Sequence, residues 1–198
     1  MKYDVEILDE SVLSEHFFTL KQYKVKHSSF LEGDCSPVVR ERLEGKTAVS
    51  ILLFDPDKDA IVCVEQFRIG LMGVADRSWS IETVSGFCDI AHEQPHEVAA
   101  REVVEETGCE LQDLIEIGEF FVSPGSSTER ITVFVGCVDS SKVSGVHGLA
   151  HEGEEIRPLV IARETAVNQL FKELNSTSII IALQWLQMNL DELNHRWS

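Results

Sequence analysis

Residues 96–108 read HEVAAREVVEETG, and their periodicity decides how the middle of the chain folds. At roughly 100° per residue, Ala99, Ala100, Val103, Val104 and Thr107 collect on one side of a helical wheel, with Glu102, Glu105 and Glu106 on the other. The pattern predicts a helix anchored by its apolar side and ended by Gly108, where a left-handed residue carries no Cβ penalty. Glu102 and Glu106 are four apart and stack as neighbours, and Glu105 is three from Glu102. Like charges so crowded repel unless something positive relieves them. Arg101 lies four residues after Glu97 and four before Glu105, so it offsets part of the repulsion. A hard divalent cation would offset more, since Mg2+ in phosphate enzymes is typically held by one or two carboxylates together with substrate oxygens and waters. Taken alone, a Glu pair at this spacing is more commonly a solvated acidic face.

Strands surround the helix on both sides. TAVSILLFD (47–55), the turn DPDKD and AIVCVEQF (60–67) read as a hairpin of well-buried strands, and SWSIETVSG (78–86) continues the sheet. Further strands are expected at LIEIGEFFVS (114–123), RITVFVGCVD (130–139) and EIRPLVIAR (155–163). Between the last two lies the loop SSKVSGVHGLAHEGEE, and amphipathic helices at ETAVNQLFKEL (164–174) and SIIIALQWLQMNLDELN (178–194) follow. Residues 1–45 differ in character. DVEILDE (4–10) and FFTLKQYKVKH (17–27) alternate as half-buried strands do, and EGDCSP (32–37) is a loop. Two or three strands make no stable unit alone, so this segment needs a packing partner, such as a second copy of the chain. The expected organisation is an N-terminal β segment, 1–45, and a main domain, 46–198, of α+β class with a mixed sheet sandwiched between helices.

Composition narrows the function classes. The chain has 198 residues, 43% hydrophobic and 26% charged, which is enough for one sizeable core. Its formal charge of −17 argues against nucleic acid as a passive partner, although metal ions let an acidic protein bind phosphates. Five scattered cysteines without a CxxC pair read as reduced thiols. With no signal-like N-terminus and no apolar run near 18 residues, the expectation is a cytoplasmic protein that does not engage a membrane.

Gly86, Glu93 and REVVEETGC (101–109) together resemble the signature of the Nudix hydrolases: Gly, five residues, Glu, seven residues, then Arg-Glu-apolar-any-Glu-Glu-any-Gly-apolar. There is one departure. Six residues, FCDIAH, separate Gly86 from Glu93, an insertion expected to reshape the loop without disturbing the spacing of the carboxylates. The resemblance runs along nearly the whole chain and is nearest to the bacterial ADP-ribose pyrophosphatases. It is carried by FFTL (17–20), VRERLEGKTAV (39–49), VEQFRIG (64–70), SPGSSTER (123–130), SGVHGLAHEGEEIRP (144–158) and ALQWLQ (182–187).

That resemblance implies a set of roles. Glu102, Glu105, Glu106 and Glu154, with the Ser85 carbonyl, would hold two or more Mg2+ ions, or Mn2+. Glu152 would be the general base for the attacking water. Arg68, Phe87, Ser123, Gly125 and Glu129 would contact substrate, and Phe17, Phe18, Arg40 and Glu41 would line its adenosine end. An FF pair at a strand start is otherwise plain core. Trp185 is expected to pack its helix onto the sheet, and Glu82 and Trp79 show no ligand spacing. The implied activity is Mg2+-dependent hydrolysis of ADP-ribose to AMP and ribose 5-phosphate by a homodimer that exchanges N-terminal strands. The alternatives are another nucleoside diphosphate sugar, such as ADP-glucose or GDP-mannose, and a sensing module that binds a nucleotide without cleaving it. The retained box glutamates weigh against the last.

Overall fold

The computed structural model describes residues 3–31, 35–149, 151 and 153–197. The elements, in chain order, are β1 (Val5–Glu15), β2 (Thr19–His27), β3 (Val38–Glu44), β4 (Thr47–Asp55), β5 (Ala60–Phe67), β6 (Trp79–Glu82), β7 (Val84–Phe87), α1 (Pro95–Thr107), β8 (Asp113–Phe121), β9 (Arg130–Cys137), β10 (Arg157–Ala162), α2 (Arg163–Gln169), α3 (Thr177–Met188) and α4 (Leu190–Arg196). The chain forms two units, residues 1–46 with 121–130, and residues 47–120 with 131–198.

In the larger unit, β4 is buried along its whole length after Thr47, as befits a strand covered on both faces. Its odd-numbered residues Val49, Ile51 and Leu53 pack with Val62 and Val64 of β5 against Val98, Ala99 and Val103 of α1. Its even-numbered residues Leu52 and Phe54 pack with Ile61 and Cys63 against Ile179, Ala182, Leu183 and Leu186 of α3, and Trp185 is partly buried there. The result is the expected α+β sandwich, with the sheet ordered β10-β5-β4-β9-β8.

The expected hairpin is present but splays. β4 and β5 pair only over Leu53–Asp55 and Ala60–Val62 next to their turn. Beyond that, β7 pairs with the first half of β4 and β6 with the last half of β5, so the two short strands fill the gap. SIETVSG, expected as one strand, therefore breaks at Thr83, whose Oγ1 lies 2.5 Å from Ser50 Oγ. This wedge brings Ser85 and Gly86 beside β4 under α1.

Two helices are shorter than expected. α2 stops at Gln169, and the chain turns through Phe171 at φ 65 to bury Leu174. The long C-terminal helix breaks at Asn189, whose side-chain amide donates to the Trp185 carbonyl at 2.8 Å. A local side-chain bond of this kind competes with helix continuation. After the bend, Arg196 Nε and Trp197 Nε1 both donate to Asp113 Oδ2, at 2.6 and 2.8 Å.

In the smaller unit, β1, β2 and β3 form an antiparallel sheet in that order. The alternation along β1 does not make it half-buried, because all eleven residues are exposed. Residues 121–130 dock on the end of β3: the Leu43 N–H donates to the Ser126 carbonyl at 2.8 Å and the Thr128 N–H to the Leu43 carbonyl at 3.1 Å. Gly45 permits the approach, since a Cβ there would stand 2.6 Å from Glu129 Cβ. All five cysteines are free thiols. Among the described residues, no helix is long and apolar enough to cross a membrane.

Candidate active site

α1 begins at Pro95, whose missing N–H is no loss at that position. The Gln94 N–H donates to Glu97 Oε2 at 2.7 Å, so Glu97 caps the helix and is not the partner of Arg101. Gly108 closes the helix at φ 72.

The face that α1 buries is rotated from the one its apolarity predicts. Val98, Ala99, Val103, Glu106 and Thr107 are buried, whereas Ala100 and Val104 are exposed. Glu102 and Glu106 consequently face the sheet at β7. Room for them comes from Gly86, where a Cβ would collide with the Glu102 carboxyl group. Glu106 is 3% exposed, and Ser85 donates its backbone N–H to Glu106 Oε2 at 3.3 Å.

Burial dominates the electrostatics. It pushes Glu106 up to about 9, with the charge of Glu102 adding and the Ser85 N–H and Arg68 opposing. Burial also pushes Glu102 up to about 7, with Arg101 opposing and Glu105 adding. Arg101 ties the acidic groups together: Nη1 lies 2.8 Å from Glu102 Oε1 and 3.2 Å from Glu105 Oε2, and Nε lies 3.3 Å from Glu93 Oε1. Before the helix the chain makes a turn in which the Glu93 N–H donates to the Ile90 carbonyl at 3.2 Å and His92 takes φ 74. Among the described residues, no three His, Cys, Asp or Glu side chains stand ready as a metal cage.

Arg68 comes from the end of β5. Its Nε and Nη2 donate to Glu82 Oε2 at 3.0 and 2.8 Å, and Nη2 lies 3.4 Å from Ser85 Oγ. Phe87 is half-buried at the end of β7, paired with Ala48. Glu154 is exposed on the 143–156 loop, near enough that its charge helps raise both Glu102 and Glu106. The base of that loop is fixed by His147 and Ile156, which exchange backbone hydrogen bonds of 2.8 and 3.0 Å. Glu152 lies outside the described residues.

The remaining candidates belong to the smaller unit. Phe17 and Phe18 are exposed, not core, with their rings edge to face at 4.7 Å. Lys46 Nζ sits 4.7 Å from the Phe17 ring centroid. Arg40 and Glu41 are exposed on β3, Ser123 and Gly125 on the docked segment, and Glu129 is half-buried against Gly45.

Two residues escape the sequence reading. Glu82 holds Arg68, and its signal is a lone carboxylate at the end of β6, just before buried Thr83 and Val84. Gln66 is 5% exposed, and its Nε2 has no hydrogen-bond partner among the described residues. It shares the α1-facing side of β5 with Val64 and Arg68 by alternation.

Comparison with known proteins places this geometry. The NUDIX domain family matches residues 45–180. The chain is 39% identical over 198 residues to the ADP-ribose pyrophosphatase of Haemophilus influenzae (98% of this chain, 91% of that protein). It is 36% identical to the ADP-ribose pyrophosphatase of Escherichia coli K12 (100% of this chain, 94% of that protein). A solved ADP compounds hydrolase shares the fold with a TM-score of 0.75, at 18% identity over 96% of this chain and 95% of that one. A carboxylate helix packed on a splayed, strand-filled hairpin, with its match to more than half the chain, has one reading: the chain belongs to the NUDIX domain family.

Proposed function

We propose that this Nudix protein hydrolyses the diphosphate of ADP-ribose to AMP and ribose 5-phosphate. The observation that carries the chemistry is the convergence of Glu102, Glu106 and Arg68 on the Ser85–Gly86 corner, with Glu106 almost fully buried. A carboxyl group kept protonated by burial regains its charge when a cation arrives beside it. The donors are all oxygens, which suits Mg2+ or Mn2+. Glu102, Glu105, Glu106, Glu154 and the Ser85 carbonyl are the residues that would hold two or more such ions. Bound there, the ions would neutralise charge developing on the phosphates and acidify a water.

The chain's own groups do the rest. Arg101 restrains the carboxylates, and Arg68 offers a planar set of donors to a phosphate oxygen. Glu152 is assigned as the base that accepts the water's proton. Phe87, Ser123, Gly125 and Glu129 are assigned to the substrate, and Phe17, Phe18, Arg40 and Glu41 to its adenosine end, where stacking on an aromatic ring is worth about 1–3 kcal/mol per base. The choice of ADP-ribose rests on the full-length likeness to curated ADP-ribose pyrophosphatases. A homodimer is supported by the uncovered apolar residues of β1, and a cytoplasmic location by the five free thiols.

Purified protein is incubated with ADP-ribose, ADP-glucose or GDP-mannose and Mg2+ or Mn2+, and products are separated by chromatography. AMP and ribose 5-phosphate should form fastest from ADP-ribose. A preference for GDP-mannose, or no product with either metal, overturns the assignment.

A further inference from the structure

Glu82 lies outside the Nudix signature and has no part in the assigned set of metal ligands, yet it is tied to the site through Arg68. The β5–β6 register sets it across from Val64, four residues before Arg68. The two side chains therefore reach toward each other along the strand direction to meet. Arg68 places two donors on one oxygen of Glu82, at 3.0 and 2.8 Å. Ser85 then links Arg68 to Glu106. Its hydroxyl is 3.4 Å from Arg68 Nη2, and its backbone N–H donates to Glu106 Oε2 at 3.3 Å.

A guanidinium this close to a buried carboxyl group has a competing partner. Charge-assisted pairing grows stronger away from water, so an unrestrained Arg68 would close on Glu106. That pair would neutralise the group a cation needs and withdraw the donors a phosphate needs. The pairing with Glu82 prevents both losses, since it compensates Arg68 locally and leaves the carboxyl groups of Glu102 and Glu106 free to ionise against a cation.

We propose that Glu82 is a positioning residue that holds Arg68 off Glu106, keeping the anion-binding charge and the cation-binding charge of the site apart. The inference rests on the cation-dependent reading above. It is tested on the full chain with Glu82→Ala, Glu82→Gln, Arg68→Met and the double variant Glu82→Ala/Arg68→Met. Two quantities are measured: the Mg2+ concentration that half-saturates the rise in Tm without substrate, and KM and kcat for ADP-ribose.

Glu82→Ala should raise the half-saturating Mg2+ concentration by about 10–100-fold, the usual effect of losing a residue that orients a metal site, and Glu82→Gln should raise it less. Arg68→Met should keep the wild-type Mg2+ response while raising KM. The double variant should recover the Mg2+ response but not KM, because the competitor is gone. A Mg2+ response unchanged in Glu82→Ala overturns the inference, as does a double variant as impaired toward Mg2+ as Glu82→Ala. In either case the wild type still responds to Mg2+ and cleaves ADP-ribose. A wild type deaf to Mg2+ and inert toward ADP-ribose removes the functional reading, and this inference with it.

Discussion

The Glu102 carboxyl group occupies the space that a side chain on Gly86 would fill. The glycine is therefore needed for volume, since its backbone is not in the left-handed region. Gly86→Ala must push Glu102 or β7 aside, and overpacking of this kind costs about 1–3 kcal/mol. Urea unfolding should show that loss, and turnover of ADP-ribose should fall by more than about tenfold, because Glu102 is displaced from Arg101 and from Glu106. An alanine variant with wild-type turnover would mean that Glu102 has no fixed place in the reaction.

Glu106→Gln separates folding from chemistry. Burial already holds Glu106 in its neutral form near neutral pH, so an amide of the same shape should leave the fold intact without divalent ions. Turnover should drop by at least about two orders of magnitude, more than is typical for a residue that only supports a metal site. The Mg2+-dependent rise in Tm should shrink in parallel. A variant that keeps both properties would remove Glu106 from the assigned ligands.

Stability without divalent ions should fall as pH rises. The folded chain keeps Glu102 protonated up to about 7 and Glu106 up to about 9, against an ordinary value of 4.5. Between those values the folded state binds more protons than the unfolded chain. The stabilising contribution is thus complete below pH 4.5, declines as pH climbs, and is exhausted by about pH 9. Asp55 and Asp139, whose values are lowered from 3.8, act in the opposite sense at the acid end. Tm recorded in a chelator from about pH 5 to 9 should show the decline, and Glu106→Gln should flatten it. Added Mg2+ should raise Tm most at the alkaline end, where it competes with the fewest protons.

The exposure of β1 makes an assembly prediction. Val5, Ile7, Val12 and Leu13 are all exposed on an eleven-residue strand. Light scattering should give the full chain twice its monomer mass, and the double variant Ile7→Asp/Val12→Asp should run at the monomer mass. A wild-type monomer with full activity would exclude the dimer from the proposed function.

What could be read from the amino acids was local, and what could not was set by pairings across the sheet. The spacing of Glu102, Glu105 and Glu106 is fixed by one helix, so it was visible directly. The side of α1 that turns inward was not, because Ala100 and Val104 look as apolar as Val98 and Val103. The room for its carboxylates lies at Gly86, on a strand reached through the splayed hairpin. Alternation likewise shows that TAVSILLFD and AIVCVEQF are strands but not that they part after Leu53 and Val62. Glu82 was invisible as a partner of Arg68 because their meeting depends on the β5–β6 register and the reach of an arginine.

The bend at Asn189 governs how the molecule can be handled at its C-terminal end. Run straight, α3 and α4 would form a rod of about 30 Å. Bent, they return Arg196 and Trp197 to Asp113 at the start of β8, an outer strand of the sheet. These two residues act as a clasp on the first rung of that border. Trimming them should let β8 fray from that rung and should accelerate hydrogen exchange there first, while the centre of the sheet keeps its protection.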